Sequence, residues 1–419
     1  VGPGRDVLVL AHRAPVPPLT GSQVKPHHIV RRLAAAGWRV HLRCFGDEAD
    51  RERAPMAWSS QGPATTEIVS LSPLRAAISG ALGVPRGRSL TDCWHDMPAM
   101  RRSVRDAVER HGIRCAIGYS SAMAQFVPEP LRARSFIELA DLDSAKFEAY
   151  VQRHRWPMSS VYRIEASRLA RRERQIVETF GRCSLVSERE RDLMRQRWPG
   201  LPADKLAVMT NGVDTEAFSP EAARAALDAV VDPAERRLLG SDRSPTLVFT
   251  GVMDYRPNVE AVCGFARDVL PAIRARHPDA RFLIVGSRPS PEVTALGTLP
   301  GVHVTGFVPD VRPYLACADV AVIPLSLARG IQNKALEAMS CGTLVACSTA
   351  THEGIGAQPG RDYWVADTLE QWLGVVDRAM LDPAGKGATR SAGRRFVADH
   401  HGWEAVLAPL MGFLGESGR

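Results

Sequence analysis

Short apolar runs alternate with amphipathic stretches along the whole chain. Val7–Ala11, Arg39–Cys44, Ser135–Leu139, Ser184–Ser187 and Leu206–Met209 read as strands, with weaker ones near Ile68 and at Ala116–Gly118. Helices are predicted over about 22–36, 73–82 and 96–110, and over an arginine-rich stretch from Ser144 to Phe180 broken at Trp156-Pro157. A second alternating set has strands at Thr246–Gly251, Arg281–Val285, Val302–Thr305, Val320–Ile323, Leu344–Cys347 and Tyr363–Val365, with last helices at about 386–400 and 403–414. Strand–helix alternation of this kind predicts parallel sheets covered on both faces. At 419 residues the expectation is α/β, with two Rossmann-like doubly wound domains facing across a cleft. The first spans 1–212 and the second 213–402, joined through a connection of about 213–245, and the C-terminal helix of about 403–419 returns to the first.

The chain is organised around Arg329–Gly342, which lies between the runs Val320–Ile323 and Leu344–Cys347. A strand, a loop, a helix of about three turns and another strand is the expected order. Helical spacing places Gly330, Lys334 and Glu337 on one face. Amides and a cation at a helix N-terminus suit phosphate, and a carboxylate one turn on accepts hydrogen bonds from a sugar diol. Equally, the pair could be a solvated lysine and glutamate on an ordinary helix.

Composition adds limits. The 45% hydrophobic and 24% charged fractions are those of ordinary globular proteins. No run approaches the roughly 18 apolar residues that span a bilayer, and the first strand is too short for a secretory h-region, so a cytoplasmic location is expected. Val1 stands where methionine would, which points to a trimmed or alternatively started chain. The eight cysteines form no Cys-x-x-Cys pair and no zinc-like grouping with histidine, so free thiols and no metal are expected. Net charge is uneven: residues 1–212 hold 33 Lys/Arg against 22 Asp/Glu, and residues 213–419 hold 20 against 24. Sparse aromatics and no nucleic-acid-binding signature argue against nucleic acid as the partner. An anionic membrane surface or anionic acceptor fits the basic half, unless its arginines serve only solubility.

No Gly-x-Gly-x-x-Gly follows the first strand, and Gly83–Ser89 is not a Walker sequence. Ligands of doubly wound sheets collect at the carboxyl ends of strands.

Asn211-Gly212-Val213-Asp214-Thr215-Glu216-Ala217-Phe218-Ser219-Pro220 and Lys334–Gly342 resemble the linker and donor-site helix of glycosyltransferase family 4, of GT-B fold. The likeness extends through Gly251, Leu283–Gly286 and Val304–Val311. His12-Arg13 with Gly21, Asp141–Lys146 and Gly330–Lys334 further resemble a subgroup of sugar transferases linked to bacterial exopolysaccharide and PEP-CTERM systems.

This resemblance implies that Glu337 holds the nucleotide ribose. The family's other glutamate falls on Arg329, and its phosphate-binding Arg and Lys fall near Val252 and Asn258. Arg256, Arg329 and Lys334 are the nearest cations that could meet a departing diphosphate. Gly21 matches a glycine loop near the donor phosphates, or else is a turn glycine. His12 and Lys25 are placed near the same edge. Gly251, Phe307 and Val308 fall within matching donor-side stretches, and Glu353 sits in a loop near the donor sugar. A histidine common near the acceptor is absent from Ile137–Asp143, where Asp141 or Asp143 could orient an acceptor hydroxyl or cap the following helix.

The implied activity is metal-independent, retaining transfer of a sugar from a nucleoside diphosphate sugar, with no cofactor, to a lipid-linked or oligosaccharide acceptor hydroxyl. It would serve exopolysaccharide synthesis, with the protein cytoplasmic or peripheral on the inner face of the plasma membrane. The alternatives are a nucleotide-sugar epimerase of the same fold and an inactive glycan-binding assembly subunit.

Overall fold

Two all-parallel sheets form, because most strands are apolar runs buried on both faces, the edge strands being partly exposed. The computed structural model describes residues 5–18, 21–58, 62–230, 239, 244–326, 331–352 and 354–417. Contacts divide the chain into one unit of Val1–Thr210 with Leu407–Arg419 and another of Asn211–Val406.

In the first unit the strands are β1 (Asp6–Ala11), β2 (Arg39–Phe45), β3 (Thr65–Val69), β4 (Ala116–Tyr119), β5 (Phe136–Ala140), β6 (Arg182–Leu185) and β7 (Leu206–Val208), in the order β3-β2-β1-β4-β5-β6-β7. The order reverses between β1 and β4. Helix Gly21–Ala35 follows β1 and ends before Gly37, whose φ of +83° closes it. The expected long helix is two, Asp143–Arg153 and Met158–Thr179, since Pro157 has no amide to continue the ladder. Helices Glu48–Ala57 and Leu90–His95 have too weak a periodicity to be read from sequence. From the C-terminal stretch, Phe413 packs edge-on against Phe136 at 5.7 Å.

The second unit holds β8 (Thr246–Thr250), β9 (Arg281–Val285), β10 (Val302–Gly306), β11 (Val320–Ile323), β12 (Leu344–Cys347) and β13 (Trp364–Val365), ordered β10-β9-β8-β11-β12-β13. Its order reverses between β8 and β11, which pair through Val320↔Leu247 and Ala321↔Val248. The connecting stretch carries its own helix, Pro220–Asp228, capped by Ser219. All eight thiols are free, and among the described residues no helix is long and apolar enough to cross a membrane.

Candidate functional site

The helix after β11 is shorter than its sequence pattern suggests. It runs Asn333–Ser340, and Ile331 and Gln332 are not helical. Asn211 explains this start: its Nδ2 donates to Asn333 Oδ1 at 2.9 Å and to Ile331 O at 3.5 Å. The Asn-Gly of the connecting stretch is therefore more than a turn, because it pins the first residue of this helix. Gly212 beside it must lack a side chain, since a Cβ there would stand 2.6 Å from the Trp403 ring. Gly342, at φ +70°, closes the helix at its other end.

Lys334 and Glu337 lie one turn apart on this helix, and Lys334 reaches the switch point of the sheet. Its Nζ donates to Asn258 Oδ1 at 2.6 Å and sits 4.1 Å from the centre of the Phe249 ring, at the end of β8. Asn258 in turn donates from Nδ2 to Val252 O at 2.9 Å, so it ties the cation to the loop leaving β8. The family resemblance leads one to expect a cation near Asn258. In the structure it is the buried amide that holds a cation arriving from another strand's helix.

That loop is itself fastened to the one after β9. Gly251 N donates to Val285 O at 3.0 Å, and Met253 N donates to Ser287 O at 2.8 Å. Gly286 is obligatory, since a Cβ there, at φ +152°, would stand 1.6 Å from Gly251 O, whereas one on Gly251 would meet the side-chain ends Asn258 Nδ2 at 2.8 Å and Lys334 Nζ at 3.3 Å, which would have to give.

Both charges are strained by their surroundings. Burial lowers the Lys334 ammonium to about 7, opposed by the nearby Glu337 carboxylate. Burial raises the Glu337 carboxyl to about 7, opposed by Lys334. Both side chains are half-buried, so the lysine and glutamate are not a fully solvated surface pair. Among the described residues no hydrogen-bonding or ion-pairing partner is found for the half-buried Glu337 carboxylate.

The other expected donor-side residues are spread more widely. Arg256 opens helix Arg256–Gly264, where its exposed guanidinium pairs with Glu260 at 2.6 Å, one turn on. Phe307 is 72% exposed and Val308 half-buried just beyond β10, following Gly306 at φ +71°. Gly21 opens helix Gly21–Ala35, and a Cβ there would meet nothing within 4 Å. Arg329, Gly330 and Glu353 lie outside the described residues.

In the first unit, Lys25 does not line an open edge. It is buried, donating to Glu138 Oε1 at 2.8 Å and to Met209 O at 2.7 Å. His12 stacks on Tyr119, with centroids 5.6 Å apart, and burial lowers its imidazole to about 4. Asp143 accepts from Ser121 Oγ at 3.2 Å, and burial raises the carboxyls of both Asp141 and Asp143. Neither aspartate caps helix Asp143–Arg153. Glu190 accepts from Leu142 N at 2.9 Å and Glu173 from Ser144 N at 2.9 Å, so the helix start is satisfied from other helices. Ser120 and Ala140, at φ +86° and +63°, hold left-handed backbone where β4 and β5 end, a strain that sequence patterning does not reveal.

At the opposite end of this sheet, Asp6, His41 and His111 bring potential metal-ligating atoms within 4.8 Å of one another. His41 uses one ring nitrogen toward Asp6 at 2.7 Å and the other toward Thr65 at 3.0 Å, and its ring stacks on His111. Hydrogen bonding and stacking account for this cluster.

Comparison with known proteins agrees with the geometry of the second unit. Residues 244–379 match a family model described as "Glycosyl transferases group 1". No curated protein sequence matches the chain significantly. Among solved structures the chain is similar to a sucrose-phosphate synthase from Thermosynechococcus elongatus, at 19% identity and TM-score 0.67, over 99% of this chain and 98% of that one. It is also similar to Anabaena Alr3699/HepE, solved in complex with UDP and glucose, at 13% identity and TM-score 0.62, over 99% and 100% of the two chains. A third likeness is to WaaG, a glycosyltransferase involved in lipopolysaccharide biosynthesis, at 14% identity and TM-score 0.64, over 98% and 100%. At these identities the shared property is the fold, two parallel-sheet Rossmann-like domains as in GT-B glycosyltransferases. The matched domain and the shared fold together support a glycosyltransferase.

Proposed function

We propose that this chain transfers a sugar from a nucleoside diphosphate sugar to an acceptor hydroxyl, as a member of glycosyltransferase family 4. One observation carries the donor assignment. Lys334 and Glu337 stand one turn apart beside the switch point of a parallel sheet, and the half-buried carboxyl has no partner among the described residues. A carboxylate so placed accepts two hydrogen bonds from a ribose diol and regains what burial took from it. Lys334, beside the side-chain-free backbone of Gly251, offers a cation where a leaving diphosphate develops charge. The exposed ring of Phe307 presents a face on which a nucleobase can stack. Gly21, Arg256, Val308, Arg329, Gly330 and Glu353 are further donor-side candidates from the sequence resemblance.

In the first unit, Asp141 and Asp143 are the candidates for orienting the acceptor, and Arg329 belongs to the catalytic proposal through its place in the motif. Retention of configuration, independence from metal and a role in exopolysaccharide synthesis follow from the resemblance and form part of the proposal. So does work at the inner membrane surface on a lipid-linked or oligosaccharide acceptor. The excess of positive charge in residues 1–212 supports it.

Isothermal titration with nucleoside diphosphates tests the donor site, beginning with UDP because the Anabaena protein was solved with it. Glu337→Ala and Lys334→Ala should each weaken binding, and wild-type affinity in both variants would refute the assignment. Product analysis by NMR, with and without a glycan acceptor, then separates transfer from epimerisation.

A further inference from the structure

The strongest feature outside the candidate site is a cavity of about 530 Å³ within the first unit. Six arginines reach it from separate parts of the chain: Arg88 before helix Leu90–His95, Arg101 on helix Pro98–His111, Arg132 in the turn Glu129–Arg134, and Arg168, Arg171 and Arg172 on helix Met158–Thr179. Among the described residues the single acid in the lining is Asp92. Spacings of three and four residues put the last three on one face of their helix. This cluster supplies part of the positive excess in residues 1–212.

Protein groups answer these charges only in part. Asp96 takes Arg88 at 2.6 Å and Arg101 at 2.8 Å. Arg132, Arg168 and Arg171 donate only to backbone carbonyls, those of Val127, Arg88 and Ser167, and among the described residues no carboxylate lies within 4 Å of them. Arg172 has Asp92 at 3.6 Å and donates from Nη1 to Gln175 Oε1 at 3.2 Å, while its buried Nε has no hydrogen-bond partner among the described residues. Burial, with repulsion from Arg132, Arg88 and Arg101, lowers the Arg172 guanidinium below the usual arginine range. Arg101 and Arg171 keep their exposure to water, but at the desolvated Arg172 the converging like charges repel, and an anion would relieve them.

The lining also restricts what that anion is. Gly87, Ser89, Gln125 and Gln175 complete the wall, and among the described residues no aromatic or aliphatic side chain lines it. Guanidinium forks match phosphate oxygens two at a time, and the cavity is within the size range of small-molecule sites. We propose that this cavity binds a compact ligand carrying two or more linked phosphates, either free or displayed on a lipid headgroup. The headgroup source is open because helix Pro73–Gly83, which ends four residues before Gly87, exposes Leu74, Ile78 and Leu82 at 72%, 52% and 57%. That stripe suits a membrane interface.

The test uses the full chain and titrates pyrophosphate by calorimetry at matched ionic strength. Lys334→Met serves as the background in which the second unit's candidate site is disabled. Pyrophosphate should bind in that background, and Arg168→Gln/Arg171→Gln should weaken it roughly ten- to a hundredfold. Arg168→Lys/Arg171→Lys should recover part of the loss, and circular dichroism should show both double variants folded. Flotation with phosphatidylcholine vesicles carrying a prenyl diphosphate separates the sources. Capture that depends on the diphosphate and is lost in the glutamine variant assigns the headgroup, whereas titration without capture assigns the free anion. Equal binding by the glutamine variant, or no binding by either assay in the Lys334→Met background, overturns the proposal.

Discussion

Each unit sets a lysine and a glutamate near the carboxyl edge of its sheet, and the two couples are built to opposite ends. Lys25 and Glu138 are closed: the ammonium is shared between Glu138 Oε1 and Met209 O, and Ser184 Oγ donates to the other carboxylate oxygen. Every charge there is answered from within the protein, which is how a buried ion pair is tolerated. Lys334 and Glu337 are open. The lysine has a neutral amide and an aromatic face, and the glutamate has no partner among the described residues. A closed couple fastens β5 to helix Gly21–Ala35 and the end of β7, while an open one leaves a carboxylate unanswered among the described residues. The difference is in satisfaction of the polar groups rather than in residue type.

The largest effect should come from breaking the closed couple. Lys25→Met leaves Glu138 buried without its cation and should cost about 3–5 kcal/mol of stability in denaturant unfolding. Lys25→Met/Glu138→Gln should recover much of that loss, and a mild single variant would mean the pair is not structurally required. Next come the open couple's ligand contacts. Glu337→Gln should lower nucleoside diphosphate affinity by roughly ten- to a hundredfold, the worth of hydrogen bonds to a charged group, with no comparable loss of stability.

The open couple also has a pH signature. Glu337 has its carboxyl raised to about 7 in the folded chain. Its contribution to stability is therefore complete below the unfolded value of about 4.3 and is lost as pH rises through about 7. Lys334, lowered to about 7, behaves in reverse: its contribution is complete only above about 10.4 and is lost as pH falls through about 7. Thermal melts of Glu337→Gln should accordingly show a gain over wild type that grows between about pH 4.3 and pH 7, reaching about 1–3 kcal/mol. A wild-type melt parallel to that of the variant across this range would mean Glu337 is not desolvated. The smallest effect belongs to Arg256→Ala. Its pair with Glu260 is exposed and should contribute little to stability, and a large loss of nucleotide affinity in this variant would support Arg256 as a donor-side residue.

Several features of the site were legible beforehand for physical reasons. Helical spacing alone brings Lys334 and Glu337 within one turn of each other, and it needs no tertiary contact. Asn211-Gly212 is recognisable as a motif, but its work is not, because its partners Asn333 and Trp403 are more than a hundred residues away. Lys25 misled for a related reason. Its position after β1 places it near the carboxyl edge, and only the arrival of Glu138 and Met209 makes it buried structure. The aspartates at 141 and 143 lost their capping role to Glu190 and Glu173, which come from helices far along the chain.

By itself, then, the sequence determined the alternation of buried strands and helices, the two sheets that follow from it, and the helical face carrying Lys334 and Glu337. Those depend on period and local sterics, which neighbouring residues decide. Only the tertiary structure decided which lysine is satisfied and which acid is left open, where Asn258 directs the cation, and that arginines from 88 to 172 converge on one cavity. Burial and hydrogen-bond satisfaction depend on what other segments bring to the same place, and that information is carried by no single stretch of the chain.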